Sequence, residues 1–155
     1  MHVSARTLDF AVETEARLQV VPRGHSFTAT TTGTASPALT WTNTLGFVAM
    51  DSFGFANYFS DGLNEAGLSV GTLWLPETQL PSTPPDDADT PAIDFVNLAG
   101  WLLGTCRTVA DARAALTGAA IWNPTMGALY HSDMLAPDGV KQLLEAVPTE
   151  HLTIH

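Results

Sequence analysis

The stretch Asp61-Gly62-Leu63-Asn64-Glu65-Ala66-Gly67-Leu68-Ser69-Val70-Gly71-Thr72-Leu73-Trp74-Leu75 decides most about the fold, because a polar turn in it leads directly into an apolar strand. Tyr58 to Ser60 predicts a short strand before the turn. Residues 68–75 alternate in part, as a half-buried strand does. Consecutive strands joined by a tight turn pair antiparallel. The stretch therefore predicts two neighbouring strands of an antiparallel sheet.

More strands are predicted upstream of this stretch. Residues 16–21 and 27–32 are rich in Val, Thr and aromatic residues, and they flank Pro22-Arg23-Gly24-His25, a segment with turn residues in suitable places. Residues 39–42 and 46–50 form a second predicted pair across Asn43-Thr44. Val3 to Asp9 predicts a further short strand. We therefore expect two hairpins in this part of the chain.

Downstream, the pattern changes from strands to a loop and two helices. Residues 76–91 contain five prolines, which exclude a regular element. A helical block follows over about 92–118. Its second helix is predicted to begin at Thr108, with Asp111 completing a capping pattern, and to end at Gly118.

Strands are predicted again over residues 128–135 and 140–147, joined by a turn at Asp138-Gly139, with a last strand beginning at Leu152. Strands, a helical block and more strands predict a layered α+β fold, in one domain over residues 1–155.

Composition narrows the classes of partner. The chain has 155 residues, 45% of them hydrophobic and 14% charged, so it can form a core. Its net charge of −10 with one lysine, Lys141, argues against nucleic acid or a membrane surface as partner. No apolar run is long enough to span a bilayer, and no signal-peptide pattern is visible. The compartment stays open.

Three conventional kinds of site have little support in the sequence. Gly67-Leu68-Ser69-Val70-Gly71 matches the serine-hydrolase motif G-x-S-x-G, with Asp133 or Asp138 and then His151 in suitable order, but a strand follows the serine where that motif needs a helix. The five histidines lack metal-ligand spacing, so no metal or other cofactor is expected. Cys106, the single cysteine, is predicted to be an inert thiol of the helical block, although the neighbouring Arg107 could lower its pKa.

Arg6 and Asp9 lie three residues apart inside an apolar run near the start of the chain. One interpretation is an ion pair or a cap at a strand end. The other is a charged pair that holds a nucleophile and its amine. Residue types alone leave both open.

A set of segments resembles the choloylglycine hydrolase family of linear-amide C–N hydrolases, which includes bile salt hydrolases and penicillin V acylases. The segments are Arg6-Thr7-Leu8-Asp9-Phe10, Val20-Val21-Pro22-Arg23-Gly24, Trp41, Gly46-Phe47-Val48 and Asp61-Gly62-Leu63-Asn64-Glu65-Ala66-Gly67-Leu68. The R-T-x-D and D-G-x-N-E-x-G-L segments together are fairly specific. The resemblance runs from about Val3 to the end of the chain.

The resemblance implies an N-terminal nucleophile fold, an αββα sandwich of antiparallel sheets that is incomplete in this chain. It implies cleavage of a small-molecule acyl amide, such as a conjugated bile salt, penicillin V or an N-acyl homoserine lactone, by an N-terminal cysteine whose own α-amine acts as base. By the same resemblance, Arg6 lies against the nucleophile, Asp9 binds the amine, and Trp74 occupies an oxyanion-hole position. Asn64 and Glu65 are expected to shape the turn.

The sequence departs from the family at the nucleophile, because Met1 and His2 stand where a strand led by cysteine is expected. Two hypotheses follow: a partial sequence of an amidohydrolase, inactive as written, or a non-catalytic protein that binds a small molecule. Missing strands would leave unpaired sheet edges, so we also expect a marginal domain that associates with itself, with a homo-oligomer left open.

Overall fold

The computed structural model describes residues 14–30, 36–52, 57–73 and 80–123, together with the backbone of residues 152–154. These segments form nine strands and two helices. In chain order they are β1 (Arg17–Val21), β2 (Ser26–Thr28), β3 (Thr40–Thr42), β4 (Phe47–Asp51), β5 (Phe59–Asn64), β6 (Ser69–Thr72), β7 (Ala92–Asp94), α1 (Phe95–Thr105), α2 (Val109–Thr117), β8 (Ala120–Trp122) and β9 (Leu152–Ile154).

The main sheet has five strands in the order β1-β4-β5-β6-β9. Its first four strands pair antiparallel, and β9 pairs parallel to β6. Helix α1 packs on one face, against β5 and β6. Its buried side chains, among them Leu98, Leu102 and Leu103, meet Phe47, Phe59 and Val70 of the sheet in one hydrophobic core. The mixed α+β class with an antiparallel sheet is confirmed.

The strands before β5 form one long hairpin, so the prediction of two separate hairpins is wrong. β1 pairs with β4, and β2 pairs with β3. The register is the same on both sides of the break, since Val21 faces Phe47 and Ser26 faces Thr42. Pro22 has no N–H to donate and Gly24 has φ +77°, so these residues interrupt the ladder without reversing the chain.

The turn between β5 and β6 is tighter than the sequence predicted. β5 runs on to Asn64, so Asp61 to Asn64 belong to a strand and not to the turn. Gly67 has φ +92°, a conformation that glycine adopts without strain. The hairpin itself is confirmed, with Leu63 opposite Ser69.

Asn64 connects this turn to the end of α1. Its side-chain oxygen accepts the backbone N–H groups of Ala66 and Leu68, both at 3.0 Å. Its amide nitrogen donates to the carbonyls of Leu103 at 2.9 Å and Cys106 at 2.7 Å. Carbonyls at a helix C-terminus have no partner within the helix, and here Asn64 supplies one. The prediction that Asn64 shapes the turn is confirmed, and the residue also anchors the helix.

Glu65 ties the same turn to the long hairpin. Its carboxylate accepts two bonds from the Arg23 guanidinium, at 2.6 and 2.7 Å, and the Gly46 N–H at 2.9 Å. The hydrogen bonds from Arg23 and from the Gly46 backbone hold the pKa of Glu65 below its ordinary value. The side chains are exposed, so the ion pair mainly fixes geometry.

The helical block begins later than predicted. Residues 92–94 form β7, and α1 begins at Phe95, with Asp94 as its N-cap accepting the Asn97 N–H at 3.1 Å. The capping box of α2 at Thr108 and Asp111 is confirmed, as is its end at Gly118. β8, which the sequence did not predict, pairs parallel to β7. None of the described helices is long and apolar enough to cross a bilayer.

The surface of the main sheet opposite α1 is apolar. We call it the aliphatic face and define it by five side chains that point away from the helix. They are Leu18, Val20, Val48, Met50 and Leu63. The register makes them contiguous, since Leu18 faces Met50, Val20 faces Val48, and Val48 faces Leu63.

Candidate active site

The end of the strand that leads to Trp74 and several buried polar side chains lie at one end of the main sheet. β4, β6 and β9 run in the same direction, so their carboxyl ends meet there, beside the amino ends of β1 and β5. β6 ends at Thr72, two residues before Trp74. The chain leaves β6 and β9 at this same end.

Buried polar side chains tie the strands together at this end. The Thr72 hydroxyl donates to the Ser60 carbonyl at 3.1 Å, and the Ser60 hydroxyl donates to the Met50 carbonyl at 3.4 Å. The register shifts between Met50 and Asp51, where β4 meets the start of β5. The strand ends that precede the candidate site are thus held by side chains as well as by the ladder.

Asp51 is the most buried carboxylate at this end and was not singled out from the sequence. Its Oδ1 accepts the Arg17 N–H at 2.8 Å, and its Oδ2 accepts the Arg17 guanidinium at 2.9 Å and the Gln19 amide. Asp51 is fully buried, whereas the Arg17 side chain is 63% exposed. The sequence did carry one signal for a buried acid: position 51 continues the inward-facing alternation of Phe47 and Ala49.

We expect the contribution of Asp51 to stability to depend on pH. Burial acts to raise the pKa of this carboxyl, but hydrogen bonds from Gln19 and Arg17 outweigh it and hold the pKa below its ordinary value. A carboxyl whose pKa is lower in the folded state stabilises the fold above its unfolded pKa, and this contribution is lost as pH falls through the folded pKa. Asp51→Asn should therefore lower the free energy of unfolding by about 1–2 kcal/mol at neutral pH.

The measurement is urea unfolding of Asp51→Asn and of the unmodified chain from pH 7 downward. Their difference should shrink below about pH 4, where an aspartate becomes protonated. Asp89→Asn, on the exposed loop, controls for the loss of one negative charge. A difference that stays constant on acidification would show that the ionised carboxylate of Asp51 is not what holds β1.

The three residues taken from the resemblance, Arg6, Asp9 and Trp74, lie outside the described residues. Their proposed roles remain predictions. The described structure gives the end of the strand that leads to Trp74.

Cys106 is buried at the C-terminus of α1, with 3% of its surface exposed. Burial raises the pKa of its thiol, opposed in part by the Thr105 hydroxyl at 3.7 Å. A reactive cysteine needs the opposite, a lowered pKa and an accessible sulfur. The structure agrees with the prediction of an inert thiol, and Cys106 is not a candidate nucleophile.

Ser69 begins β6, directly after the hairpin turn, and the strand continues to Thr72. A nucleophile elbow has its serine on a sharp turn between a strand and a helix. The described geometry therefore rejects the G-x-S-x-G interpretation. Within residues 14–30, 36–52, 57–73 and 80–123, no three His, Cys, Asp or Glu side chains group as a metal site would require.

Comparison with known proteins gives a consistent result. The sequence model of "Linear amide C-N hydrolases, choloylglycine hydrolase family" matches residues 1–137. Penicillin V acylase from Pectobacterium atrosepticum is 32% identical over 118 residues, which cover 74% of this chain and 30% of that protein.

Solved structures show the same likeness. The structure of penicillin V acylase from Agrobacterium tumefaciens superposes with a TM-score of 0.63 and 27% identity, covering 75% of this chain and 35% of that one. A mutant of conjugated bile acid hydrolase from Clostridium perfringens gives 0.56 with 22% identity, over 74% and 33% of the two chains, and supports the fold alone. The chain thus spans about a third of the length of these relatives.

The described elements form an antiparallel sheet with one helical layer, an α+β arrangement that superposes on part of an acylase. The chain belongs to the choloylglycine hydrolase family of linear amide C–N hydrolases.

Proposed function

We propose that the protein containing this sequence hydrolyses a linear, non-peptide amide bond of a small acyl amide. The observation that carries the proposal is the family match over residues 1–137. A conjugated bile salt, penicillin V and an N-acyl homoserine lactone are the candidate substrates that the resemblance implies.

The proposed nucleophile is an N-terminal cysteine that this sequence does not contain. The one cysteine present, Cys106, is buried with a raised pKa, and the first two residues are Met1 and His2. The reaction therefore requires a cysteine from polypeptide outside these 155 residues. The chain by itself is proposed to be inactive.

The proposed mechanism has two steps. The terminal amine takes the thiol proton, the thiolate attacks the amide carbonyl carbon, and the proton passes to the departing amine as the C–N bond breaks. Water then hydrolyses the thioester, which releases the acid and restores the thiol. Arg6 would lie against the sulfur, and Asp9 would hold the amine.

Trp74 is proposed to act through its backbone N–H, which can donate to the developing oxyanion whatever the side chain. The direction of the strands supports this role. The chain leaves β6 just before Trp74, at the end of the sheet where β9 also ends. The indole would add an aromatic wall suited to an apolar acyl group or a flat ring.

The complete αββα sandwich is also a proposal. Helix α1 covers one face of the main sheet, and the aliphatic face is the surface against which a second sheet would pack in the longer protein. Sheets that stack face to face bury apolar side chains of this kind, about 10 Å apart.

A second candidate function is a non-catalytic protein that binds a small molecule. The observation that favours it is the state of Cys106, the one cysteine of this sequence, which is buried with a raised pKa. Under this proposal, the longer protein would bind acyl amides and release neither acid nor amine.

The deciding experiment assays the longer protein that contains this sequence for release of amine from the three candidate substrates. We expect turnover, and we expect Asp9→Asn to lower kcat/KM by at least about tenfold, because a misplaced amine is a poor base. Arg113→Ala, at a half-buried position of α2, is the control and should leave kcat/KM unchanged. Binding of an acyl amide without turnover would establish the second function instead.

A further inference from the structure

The backbone pairing of the main sheet becomes irregular at the end that carries the candidate site. The register between β5 and β6 ends where Asp61 faces Gly71. The register between β4 and β5 shifts after Met50, which leaves Ser60 as the extra residue of a β-bulge. Bulges of this kind are frequent beside active sites, because they bend a strand and change where its end is directed.

Side-chain hydrogen bonds join the strands where the backbone pairing stops. The Thr72 hydroxyl donates to the Ser60 carbonyl, from β6 to β5, and the Ser60 hydroxyl donates to the Met50 carbonyl, from β5 to β4. Asp51 of β4 accepts from Arg17 at the start of β1. We call the buried side chains of Thr72, Ser60 and Asp51 the polar belt, which links four strands at this end of the sheet.

Thr72 is the member of the polar belt that lies next to the proposed oxyanion donor. On the β9 side, the ladder of β6 reaches Thr72, which faces Ile154. On the β5 side, the hydroxyl bond to Ser60 at 3.1 Å continues the attachment of β6 beyond Gly71. Trp74 follows two residues later, so the position of Thr72 limits where the Trp74 N–H can lie.

The hydroxyl of Thr72, rather than the bulk of its side chain, requires an explanation. Thr72 alternates with Val70 along β6, on the face that packs against α1, and the two residues are 8% and 2% exposed. A valine would fill the same space. A buried hydroxyl costs free energy unless it is hydrogen-bonded, so what threonine adds at this position is its bond to Ser60.

We propose that Thr72 is a positioning residue for amide hydrolysis, because its hydroxyl fixes the end of β6 and with it the backbone N–H that meets the oxyanion. This inference rests on the proposed function. Negative charge develops on the carbonyl oxygen in the transition states of both chemical steps and not in the bound substrate, so a displaced donor lowers kcat more than it changes KM.

The experiment is steady-state kinetics of the longer protein that contains this sequence, with the candidate substrate that it turns over. Thr72→Val removes the hydroxyl, and Thr72→Ser keeps it. Thr42→Val is the matched control, since it removes the hydroxyl of an exposed threonine of β3 that is bonded to Ser26 across β2 and β3 at 2.8 Å. Titration of the reactive thiol gives the concentration of folded enzyme, so kcat refers to folded molecules alone.

We expect Thr72→Val to lower kcat about tenfold while KM changes less than about twofold, because a small displacement of a catalytic donor is costly. Thr72→Ser and Thr42→Val should keep kcat within about threefold of the unmodified protein. An unchanged kcat in Thr72→Val would overturn the proposal. So would an equal loss in Thr72→Ser, or a rise in KM with kcat unchanged.

Ser60→Ala removes the next link of the polar belt but keeps the carbonyl that accepts from Thr72. We expect a smaller fall in kcat, again with little change in KM. If Thr72→Val does not fold, Ser60→Ala decides the proposal by the same measurements, and an unchanged kcat would overturn it.

The two proposals fail in different ways. A longer protein without turnover in its unmodified form would contradict the proposed function, and the role of Thr72 would fall with it. Turnover that Thr72→Val leaves unchanged would contradict the positioning role alone.

Discussion

Asn64→Ala is expected to lower the free energy of unfolding by about 3 kcal/mol. The substitution removes four hydrogen bonds at once. It leaves the carbonyls of Leu103 and Cys106, and the N–H groups of Ala66 and Leu68, without their present partner. Asn64 is 3% exposed, so water cannot readily take its place. The measurement is urea unfolding followed by circular dichroism, with m-values compared.

Asn64→Asp divides the effect into two parts. An aspartate keeps the oxygen that accepts from Ala66 and Leu68, but it loses the amide that donates to the end of α1. It also brings a negative charge to the negative end of the helix dipole. We expect it to be destabilising as well, with the loss concentrated in α1. Hydrogen exchange should then show α1 opening more readily than the β5–β6 turn, and equal protection of both would contradict this role.

Gly62→Ala is the second large effect, with an expected loss of about 2–3 kcal/mol. Gly62 lies in β5 directly beneath α1. A Cβ at this position would collide with the Leu103 side chain, and it would stand 3.0 Å from both the Ala49 Cβ and the Val48 carbonyl. The helix can approach the sheet this closely only because the residue has no side chain. Thermal unfolding measures the effect.

Two variants separate crowding from a general effect of glycine. Gly118→Ala, after α2, adds a Cβ that meets nothing nearer than 3.7 Å, and we expect a change below about 0.5 kcal/mol. Leu103→Val shortens the side chain that collides. In that background Gly62→Ala should cost less than it does alone. Strictly additive losses would show that close packing against Leu103 is not the cause.

The sequence predicted those features of the fold that depend on residues close together in the chain. The capping box of α2 lies within four residues, Thr108 to Asp111, and the β5–β6 hairpin depends on one turn. The existence of β1 to β4 was also predicted from residue type. In these cases the residues that decide the structure are neighbours along the chain.

The sequence did not predict which strands pair when they lie far apart in the chain. Pro22 and Gly24 are typical of a turn, but whether they reverse the chain depends on β4, more than 20 residues away. β7 and β8 are three residues each and pair with each other across both helices, so neither carries enough pattern to be recognised. Asp51 is similar, because its partners Arg17 and Gln19 lie on another strand.

For the candidate site too, local features were predicted from the sequence and contacts between distant residues were not. The strand that leads to Trp74 was predicted, and the structure has it from Ser69 to Thr72, while Arg6, Asp9 and Trp74 themselves rest on the resemblance. The structural role of Asn64 and Glu65 was expected, but the contact of Asn64 with α1 was not. Nothing in a single sequence indicates which helix end an asparagine side chain will reach.

The position of β9 has a consequence for the order of folding. This strand completes the edge of the main sheet beside β6, yet about 80 residues separate the two in the chain. The hairpins and α1 can form while the polypeptide is still being synthesised, whereas the outer edge of β6 is paired only after Ile154 has left the ribosome. Contacts between residues so far apart form slowly. During that interval the edge of β6 is open to pairing with other chains.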